Sequence, residues 1–545
     1  MELADWLAAA GTGVLVYLDE EGLHAVDLLD GRRRLVSLDV DRSFFGFGGS
    51  YEVGGRTRPY ALLGQLGSAL WRARGADEVE LVADEEGLWL SGGGERALVA
   101  SAHDKLEDAE RKVEEALEML KRLRESWWQY TPHHIKVHPQ GLRALLEYAR
   151  LLREEVGDPV LAVKWDGGEP RLAVAAENEQ GVRAYAELPR EFLLEWTENW
   201  RSYEGQYPLG WVARVPEGAD YALVRTGYKE TERGRVGGLL WLSLGGSGAY
   251  LDVVLTPLVE RVRAERPRFD YLLGIGAGAE AFAALLKLLG EMEARTLLEG
   301  DKNSFRIRAV NGERTALLAA ELVSPRVLAS QRELETALEL NSETGRALAK
   351  ATTAFSRFAE PYIAVDEEGG VWVSGIRVLP LPFRALPPSR AKEAAEEARR
   401  EVEELRRFFE ARVWRSAAAL PHLVVDGGAL VAAVKKLVDR GEPALVRVRL
   451  EPSGRGVVEV LDRGGNVVWR REGELERGAP AKPLEGRYRV TGQSGFPVPL
   501  NQPLMRGIPV RVALAETGEG EPPLLALHYE LGGFVVEALV APHVG

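Results

Sequence analysis

A glycine-rich run at residues 274–279 combines residue types and a spacing that could support chemistry. The run reads GIGAGA, follows the strand-like FDYLL and precedes a predicted helix. In a dinucleotide-binding fold, such glycines let a pyrophosphate approach the helix N-terminus, and Glu299 lies where an acidic residue would bind a ribose hydroxyl. The segment after Glu299 has the pattern of a hairpin, however, where a doubly wound sheet requires a crossover helix. A nucleotide-binding enzyme using this turn is therefore kept as an alternative.

Three histidines, His133, His134 and His138, surround a strand-like HHIKVH. His134 and His138 would share one face of a strand, but a histidine metal site also needs groups that orient the ligands. No Glu lies at the spacing that a histidine metal-binding motif requires. We therefore interpret the three histidines as polar residues of a strand. The GGSGA run at 245–249 has the pattern of a hairpin turn, and the chain has no Walker A motif. The sequence predicts no catalytic residue, metal or cofactor, and a protein that is not an enzyme.

The composition excludes several classes of protein. The chain has 545 residues and no cysteine, which excludes disulfides, a thiolate nucleophile and cysteine-ligated metals. Its 46% hydrophobic and 28% charged residues are typical of globular domains, and its formal net charge is −14. No stretch approaches the roughly 20 apolar residues of a membrane span, and the opening MELADWLAAAG lacks the basic flank of a signal peptide. We expect a cytoplasmic protein without a membrane partner, and the scarcity of Met with abundant Glu and Arg suggests a thermophile.

The elements that would position a site occur twice. Three pairs of segments resemble each other in the same order along the chain: 84–92 and 366–375, 157–165 and 441–450, and 237–257 and 522–542. The first pair reads DEEGLWLSG and DEEGGVWVSG. These repeats predict an internal duplication with halves of about 1–260 and 268–545.

Each half divides into two domains of short strands and helices, which predicts the α+β class. Hairpins are predicted in the runs 22–40 and 304–323, broken at Asp30-Gly31 and Asn311-Gly312. The predicted order is domain 1 (1–101), helical connector 1 (102–130), domain 2 (131–260), domain 3 (268–384), helical connector 2 (389–416) and domain 4 (420–545).

Both connectors repeat apolar residues at heptad spacing, which packed helices require. In the first connector these residues are Leu106, Ala109, Val113, Ala116, Leu120, Leu123 and Trp127. In the second they are Ala391, Ala395, Ala398, Val402, Leu405 and Phe409. The two helices could pair as an intramolecular antiparallel coiled coil, or each could cover its own domain. The pattern allows both.

The order strand, helix, hairpin, helix, hairpin occurs twice in each half. Residues 269–311 give a strand, the helix EAFAALLKLLGEM and a strand leading to a turn at which Asn311 replaces an expected Asp. Ala25-Val26-Asp27 fits that turn in the first half, and the chain closes with PLLAL through LVAP at 523–542. These features resemble the DNA sliding clamp family, especially its proliferating cell nuclear antigen type, over nearly the whole chain.

The resemblance implies tandem clamp-like domains and a non-enzymatic processivity or tethering platform in DNA replication or repair. Double-stranded DNA would be one partner, and a DNA polymerase or another DNA-processing enzyme a second. The chain departs from the family in two ways. A clamp ring contains six domains, and six is not a multiple of the four domains predicted in this chain. In the family an extended connector between domains helps bind partner proteins, whereas here helices take its place. A clamp-fold structural or interaction protein that does not encircle DNA is therefore the alternative.

Basic residues on four predicted helices, 140–153, 280–292, 343–358 and 428–440, would face the duplex in such a protein. Phosphate contacts give sequence-independent binding, although amphipathic helices need solvated charges in any case. The candidate DNA-binding residues are Arg143, Arg150, Arg153, Lys287, Arg346, Lys350, Arg357, Lys435, Lys436 and Arg440.

Overall fold

A computed structural model of the chain divides into two compact units. Unit 1 comprises Met1–Glu177 and Ala184–Arg266, and unit 2 comprises Asn178–Arg183 and Pro267–Gly545. The structure describes residues 2–11, 13–29, 34–45, 53, 55–64, 79–92, 95–103, 105–166, 168–179, 181–198, 201–209, 214–232, 234–259, 262–357, 359–378, 391–411, 416–518 and 520–542.

Unit 1 consists of four helices and many strands within its described residues. Its helices are α1 (Glu2–Ala10), α2 (Leu106–Glu125), α3 (Trp127–Tyr130) and α4 (Pro139–Glu155). Its strands are β1 (Leu15–Leu18), β2 (Gly22–Leu29), β3 (Arg34–Asp41), β4 (Tyr60–Leu62), β5 (Val79–Ala83), β6 (Gly87–Gly92), β7 (Glu95–Ala102), β8 (His133–Val137), β9 (Val160–Asp166), β10 (Glu169–Glu177), β11 (Arg183–Glu187), β12 (Leu193–Trp196), β13 (Tyr203–Pro208), β14 (Tyr221–Thr231), β15 (Gly234–Gly246) and β16 (Ala249–Leu255).

Unit 2 has the same mixed composition. Its helices are α5 (Ala279–Glu291), α6 (Ser342–Phe355), α7 (Ala391–Ala411), α8 (Gly427–Val438) and α9 (Gln502–Met505). Its strands are β17 (Phe269–Gly274), β18 (Arg295–Gly300), β19 (Phe305–Val310), β20 (Ala316–Leu322), β21 (Arg326–Ser330), β22 (Leu334–Glu339), β23 (Tyr362–Asp366), β24 (Val371–Val373), β25 (Ile376–Val378), β26 (His422–Asp426), β27 (Ala444–Leu450), β28 (Arg455–Leu461), β29 (Val467–Glu474), β30 (Leu484–Val490), β31 (Pro509–Ala515), β32 (Leu524–Leu531) and β33 (Phe534–Val540).

The large sheets of the two units share one strand order. Within the unit 1 sheet, eight neighbouring strands run β4-β1-β2-β3-β16-β15-β14-β8. The unit 2 sheet runs β22-β18-β19-β20-β33-β32-β31-β26, which matches it strand for strand in chain order. Neighbours in both runs are antiparallel. The α+β class is therefore confirmed.

The predicted hairpins form where the turn residues indicate. Strand β2 pairs with β3 and β19 pairs with β20, although Asp30 and Gly31 themselves lie outside the described residues. Asn311 is buried, and its Oδ1 accepts hydrogen bonds of 2.8 Å from the N–H groups of Thr315 and Ala316. Its side-chain amide thus closes the turn that the resemblance assigns to an aspartate.

The first DEEG turn, between β5 and β6, is organised by one carboxylate. Oδ1 of Asp84 accepts hydrogen bonds from the N–H groups of Glu86 and Gly87 and from the indole N–H of Trp89, at 2.9–3.0 Å. Arg96 donates to the other carboxylate oxygen. Burial works to raise the pKa of Asp84, but these hydrogen bonds outweigh it and hold that pKa at about 2.

The second DEEG turn, between β23 and β24, repeats this arrangement. Oδ1 of Asp366 accepts from the N–H groups of Glu368 at 3.0 Å and Gly370 at 2.7 Å. Its Oδ2 accepts from the indole N–H of Trp372 at 2.7 Å and lies 3.3 Å from Nε of Arg377. Both turns therefore use the same four kinds of group: carboxylate, turn N–H, indole and guanidinium.

Asp366→Asn is expected to lower the free energy of unfolding of unit 2 by about 2 kcal/mol, because an amide cannot accept on both sides. Either the NH₂ faces the buried indole N–H of Trp372, or the turn N–H groups lose their acceptor. Chemical denaturation followed by tryptophan fluorescence measures the change. Glu367→Gln removes the same charge from an exposed position of the same turn and should leave stability unaltered. An equal loss of stability from both substitutions would contradict a stabilising role for the Asp366 hydrogen bonds.

The connector helices lie on the large sheet of their own unit. In α2, five predicted seam residues pack with strand residues of unit 1 such as Leu15 and Trp241: Ala109, Val113, Ala116, Leu120 and Leu123. In α7, Val402, Leu405 and Phe409 pack with strand residues of unit 2 such as Leu297 and Leu539. The side chain of Ala391 lies outside the described residues. The structure thus shows the second of the two alternatives in a modified form: each seam covers the large sheet of its own unit, to which both predicted domains of that half contribute strands.

Two helices end earlier than their patterns predict. The predicted helix 343–358 ends at Phe355, so Arg357 lies beyond it. The predicted helix 428–440 ends at Val438, so Arg440 also lies outside. Gly441 adopts a φ of 74°, the left-handed conformation with which a glycine terminates a helix.

Candidate nucleic-acid interface

Helices α5 and α6 cross with their backbones in direct contact. A Cβ atom on Gly345 would lie 2.7 Å from Cα of Gly290 and 2.7 Å from the carbonyl oxygen of Leu286. Glycine is required at this crossing because real Cβ atoms do not approach backbone atoms so closely. The crossing fixes the spacing between the side chains that the two helices expose.

A cleft of about 700 Å³ lies in unit 2 between α5 and α8. Lys287 of α5 and Lys435 of α8, both exposed, line it. Two of the ten predicted residues, 148 positions apart in the sequence, thus share one cavity. Glu291 and Asp439 also line it, and Nζ of Lys287 lies 3.8 Å from Oε1 of Glu291. The cleft combines two ammonium groups with two carboxylates.

The loop 493–501 forms the remaining wall of the cleft. The Gln493 amide donates hydrogen bonds of 2.7 Å to the carbonyl oxygens of Phe496 and Val498, and its Oε1 accepts from Leu500 N–H at 2.8 Å. Asn501 precedes α9 and also faces the cleft. The sequence analysis did not predict that this loop belongs to the site, because neither Gln493 nor Asn501 is part of a recognisable motif.

Helix α6 carries two of the predicted cations, Arg346 and Lys350, and Arg357 follows its C-terminal end. Arg346, Lys350 and Arg357 are exposed, and four- and seven-residue steps keep side chains on one helix face as far as the helix extends. Arg346 also donates to the carbonyl and hydroxyl oxygens of Ser342, at 3.0 and 2.9 Å. This row therefore consists of exposed charges, one of which is oriented by its own helix.

The C-terminal end of α8 carries the other candidate DNA-binding residues of unit 2. Lys435 and Lys436 lie in its last turn and Arg440 just after it, all exposed. Cations here also interact favourably with the helix dipole, so they stabilise the helix as well as add positive potential. At the other end, Asp426 caps α8 by accepting from Ala429 N–H at 2.7 Å.

The candidate DNA-binding residues of unit 1 lie on α4. Arg143 is half-buried and donates to the carbonyl oxygens of Val215 at 3.1 Å and Pro216 at 2.5 Å. It anchors a loop and is unsuitable for a surface-charge test. Arg150 is exposed, and Nε of Arg153 lies 3.7 Å from Oδ1 of Asp158.

The glycine-rich run does not form a phosphate loop. A Cβ on Gly274 would lie 2.4 Å from Oε1 of Glu360, so a carboxylate occupies the approach to the turn. Strand β17 pairs antiparallel with β21 and β23, and β18 pairs antiparallel with β19. Both the adjacent negative charge and the absence of parallel pairing among these strands oppose the dinucleotide interpretation.

The three histidines have separate partners. His133 Nδ1 lies 3.0 Å from the Tyr203 hydroxyl, and His134 Nδ1 lies 2.6 Å from the Thr197 hydroxyl. His138 Nδ1 accepts from Gln140 N–H at 3.3 Å and caps α4. Burial lowers the pKa of His133, and the nearby Arg201 lowers it further. Over the described ranges, no cluster of three or more His, Asp or Glu side chains is placed to hold a metal ion.

Ser247 lies in the β15–β16 hairpin turn, as the GGSGA pattern predicts. Its φ is 52° and that of Gly248 is 80°, and both values are typical of a tight two-residue hairpin turn. Ser247 is thus a turn residue. A search for long apolar helices, covering the described part of the chain, finds none that could cross a membrane.

Comparison with known proteins finds similarity at the level of structure. No family model and no curated protein matches the chain. A Helicobacter pylori beta clamp solved with 5-chloroisatin matches with a TM-score of 0.45 and 10% identity, over 76% of this chain and all of the clamp. The DNA polymerase III subunit beta from Pseudomonas aeruginosa matches with a TM-score of 0.45 and 13% identity, over 75% and 99%. The DNA polymerase sliding clamp from Caulobacter crescentus matches with a TM-score of 0.45 and 12% identity, over 76% and 100%.

These matches are sliding clamps. They are of the bacterial beta type, whereas the sequence pattern resembles the proliferating cell nuclear antigen type.

Proposed function

We propose that the chain is a non-enzymatic, clamp-like protein that tethers a DNA polymerase or another DNA-processing enzyme to double-stranded DNA. The observation that carries the proposal is the cleft shared by Lys287 and Lys435. These cations come from two helices that are distant in the sequence, in a chain whose net charge is −14. Glu291 and Asp439 balance these two lysines within the cleft. The excess of positive charge therefore comes from Lys436 and Arg440 at the same end of α8. Such a local excess can bind phosphates despite an acidic whole, because screening over about 8–10 Å lets the local field dominate.

The basic groups proposed to contact the duplex lie on or just after α4, α5, α6 and α8. They are Arg150, Arg153, Lys287, Arg346, Lys350, Arg357, Lys435, Lys436 and Arg440. Helices expose such cations without disturbing the apolar face that packs on the sheet. The contacts would be to phosphates, so binding would not depend on base sequence.

We further propose that the chain arose by duplication and holds four clamp-like domains in two halves. The shared strand order of the two large sheets supports this proposal. The matched hydrogen-bond networks of Asp84 and Asp366 support it independently, because a turn of this kind does not require an indole and a guanidinium.

The double variant Lys287→Glu/Lys435→Glu is expected to bind duplex DNA at least about tenfold more weakly than wild type at low salt. Each lost phosphate contact should reduce the slope of log K against log salt by about 0.9, so the two together should reduce it by nearly 2. Fluorescence anisotropy with two unrelated 30-base-pair duplexes at four salt concentrations measures both quantities. The two duplexes should give equal affinities.

Lys302→Glu is the control, because it reverses one exposed lysine in the turn between β18 and β19, outside the helices that carry the candidate residues. Its affinity and slope should equal those of wild type. Identical salt slopes for wild type and the double variant, or negligible duplex binding by both proteins, would contradict the proposed DNA binding.

A clamp-fold interaction protein that does not encircle DNA is the second candidate. This candidate is favoured because α2 and α7 pack on the large sheets, where they bury Leu120 and Leu405. Closed circular and linear duplexes of equal length separate the candidates. An encircling protein should dissociate from linear DNA through its ends and remain on circles, whereas a non-encircling one should treat both alike.

A further inference from the structure

The outer face of the four-stranded sheet in unit 2 carries a cluster of arginines. The sheet runs β29-β28-β27-β30. Along β27 the burial alternates, so Val446, Val448 and Leu450 face the core while Arg447 and Arg449 face outward. Residues directly opposite each other on paired strands share a face of the sheet, so the strand register defines this surface.

Cross-strand pairing sets the charged side chains in rows. Arg487, Arg447, Glu459 and Arg470 are successive partners across the four strands. In the next row Glu485, Arg449, Val457 and Glu472 are partners, and beyond the first row Arg489 lies opposite Leu445. We call this surface the arginine face. It holds five arginines and three glutamates.

A buried carboxylate organises the centre of the arginine face. The side chain of Glu459 is only 2% exposed, and its Oε2 accepts a hydrogen bond of 2.7 Å from Nε of Arg447. Guanidinium nitrogens of Arg470 and Arg449 lie 3.6 and 3.9 Å from the same carboxylate. Glu459 therefore gathers three guanidinium groups, although Arg470 also pairs with Glu472 at 2.8 Å. The five arginines still outnumber the three glutamates by two charges, so the face keeps an excess of positive charge in a defined arrangement.

The edge of the face toward β30 offers further cations. Arg487 and Arg489 are exposed, and Arg487 has only a long contact of 3.7 Å with Glu485. The face also includes half-exposed apolar side chains, Leu445 and Val457, between the arginines. A ligand of this surface must supply several anions and some apolar contact.

We propose that the arginine face docks an acidic segment of a partner protein in extended conformation. Arginines two positions apart on β27 and β30 are about 6.6–6.8 Å apart along the strand, which is also the spacing of alternate side chains in an extended peptide. Guanidinium forks bind carboxylates in bidentate geometry. The half-exposed Leu445 and Val457 between the arginines favour a peptide over a duplex, because a peptide offers apolar contact beside its carboxylates.

The proposal is tested with a fluorescein-labelled peptide of six Glu-Thr repeats and the full-length chain. Wild type should bind it in a salt-dependent manner, and Arg487→Glu/Arg489→Glu should weaken binding at least about tenfold. Arg463→Glu, in the exposed turn between β28 and β29 of the same sheet, is the matched control and should bind as wild type. Arg487→Lys/Arg489→Lys keeps the charge without the guanidinium fork and should bind with intermediate affinity.

Further peptides and variants distinguish an acidic peptide from the other possible ligands of the arginine face. A peptide of six Glu followed by six Thr should bind more weakly than the alternating peptide, and a Lys-Thr repeat should not bind. Lys287→Glu/Lys435→Glu should retain peptide affinity, so this proposal can hold even if the proposed DNA function fails. Absence of peptide binding by wild type would overturn the proposal. Loss of duplex binding in Arg487→Glu/Arg489→Glu, without any peptide binding, would also overturn it and assign the face to nucleic acid.

Discussion

Leu120→Asp and Leu405→Asp are each expected to lower the free energy of unfolding of their own unit by about 4 kcal/mol or more, because each buries an unpaired carboxylate and leaves a cavity. Leu120 is 2% exposed and Leu405 is 5% exposed. Hydrogen exchange read by mass spectrometry follows each unit separately, which a single melting temperature for a two-unit chain cannot do. Protection should fall in unit 1 for Leu120→Asp and in unit 2 for Leu405→Asp.

The double variant distinguishes the two ways in which the heptad seams could pack. Because each leucine is buried in its own cluster, the two effects should add to within about 0.5 kcal/mol. Two helices paired with each other would instead give less than the sum. Lys121→Asp and Arg400→Asp introduce the same residue at exposed positions of α2 and α7 and should each cost less than about 0.5 kcal/mol. Loss of protection in both units from either single leucine variant would contradict separate packing.

Local patterns in the sequence predict the secondary elements well. The Asn311-Gly312 turn and the alternation around it determine the β19–β20 hairpin, because turn conformation and strand alternation are properties of adjacent residues. The heptad seams likewise identify most of the buried faces of α2 and α7, since a helix places residues three and four apart on one side. The seam was wrong at its two ends in the first connector, where Leu106 is exposed and Trp127 is exposed and lies beyond α2. Which surface each helix face packs on depends on the tertiary fold. The heptad spacing alone could not distinguish pairing of the two helices from packing of each helix on its own sheet.

The candidate site was only partly predictable. Helical periodicity finds Lys287 and Lys435 as exposed cations, but their shared cleft depends on how α5 and α8 are placed by the sheets. Arg143 has the same pattern as Arg150, yet two carbonyl groups from a distant loop bind its guanidinium. Long-range contacts of this kind leave no periodic signal in the sequence.

Gly345→Val is expected to lower the free energy of unfolding of unit 2 by at least about 3 kcal/mol, because the added side chain would meet backbone rather than flexible side chains. Its Cβ would lie 2.7 Å from Cα of Gly290, so α5 and α6 would have to separate. Thr353→Val introduces the same residue at an exposed position of α6 and should change stability by less than about 0.5 kcal/mol. Denaturation monitored by hydrogen exchange in unit 2 measures both.

The same substitution connects the helix crossing to the proposed DNA contacts. Lys287 is on α5, while Arg346 and Lys350 are on α6, so separating the helices moves one group of cations relative to the other. At a temperature where Gly345→Val remains folded, duplex affinity should therefore fall although no charge has been removed. The salt slope should fall less than in Lys287→Glu/Lys435→Glu, because the cations are displaced and not replaced. Wild-type affinity in a folded Gly345→Val variant would show that the spacing of these helices is irrelevant to DNA binding.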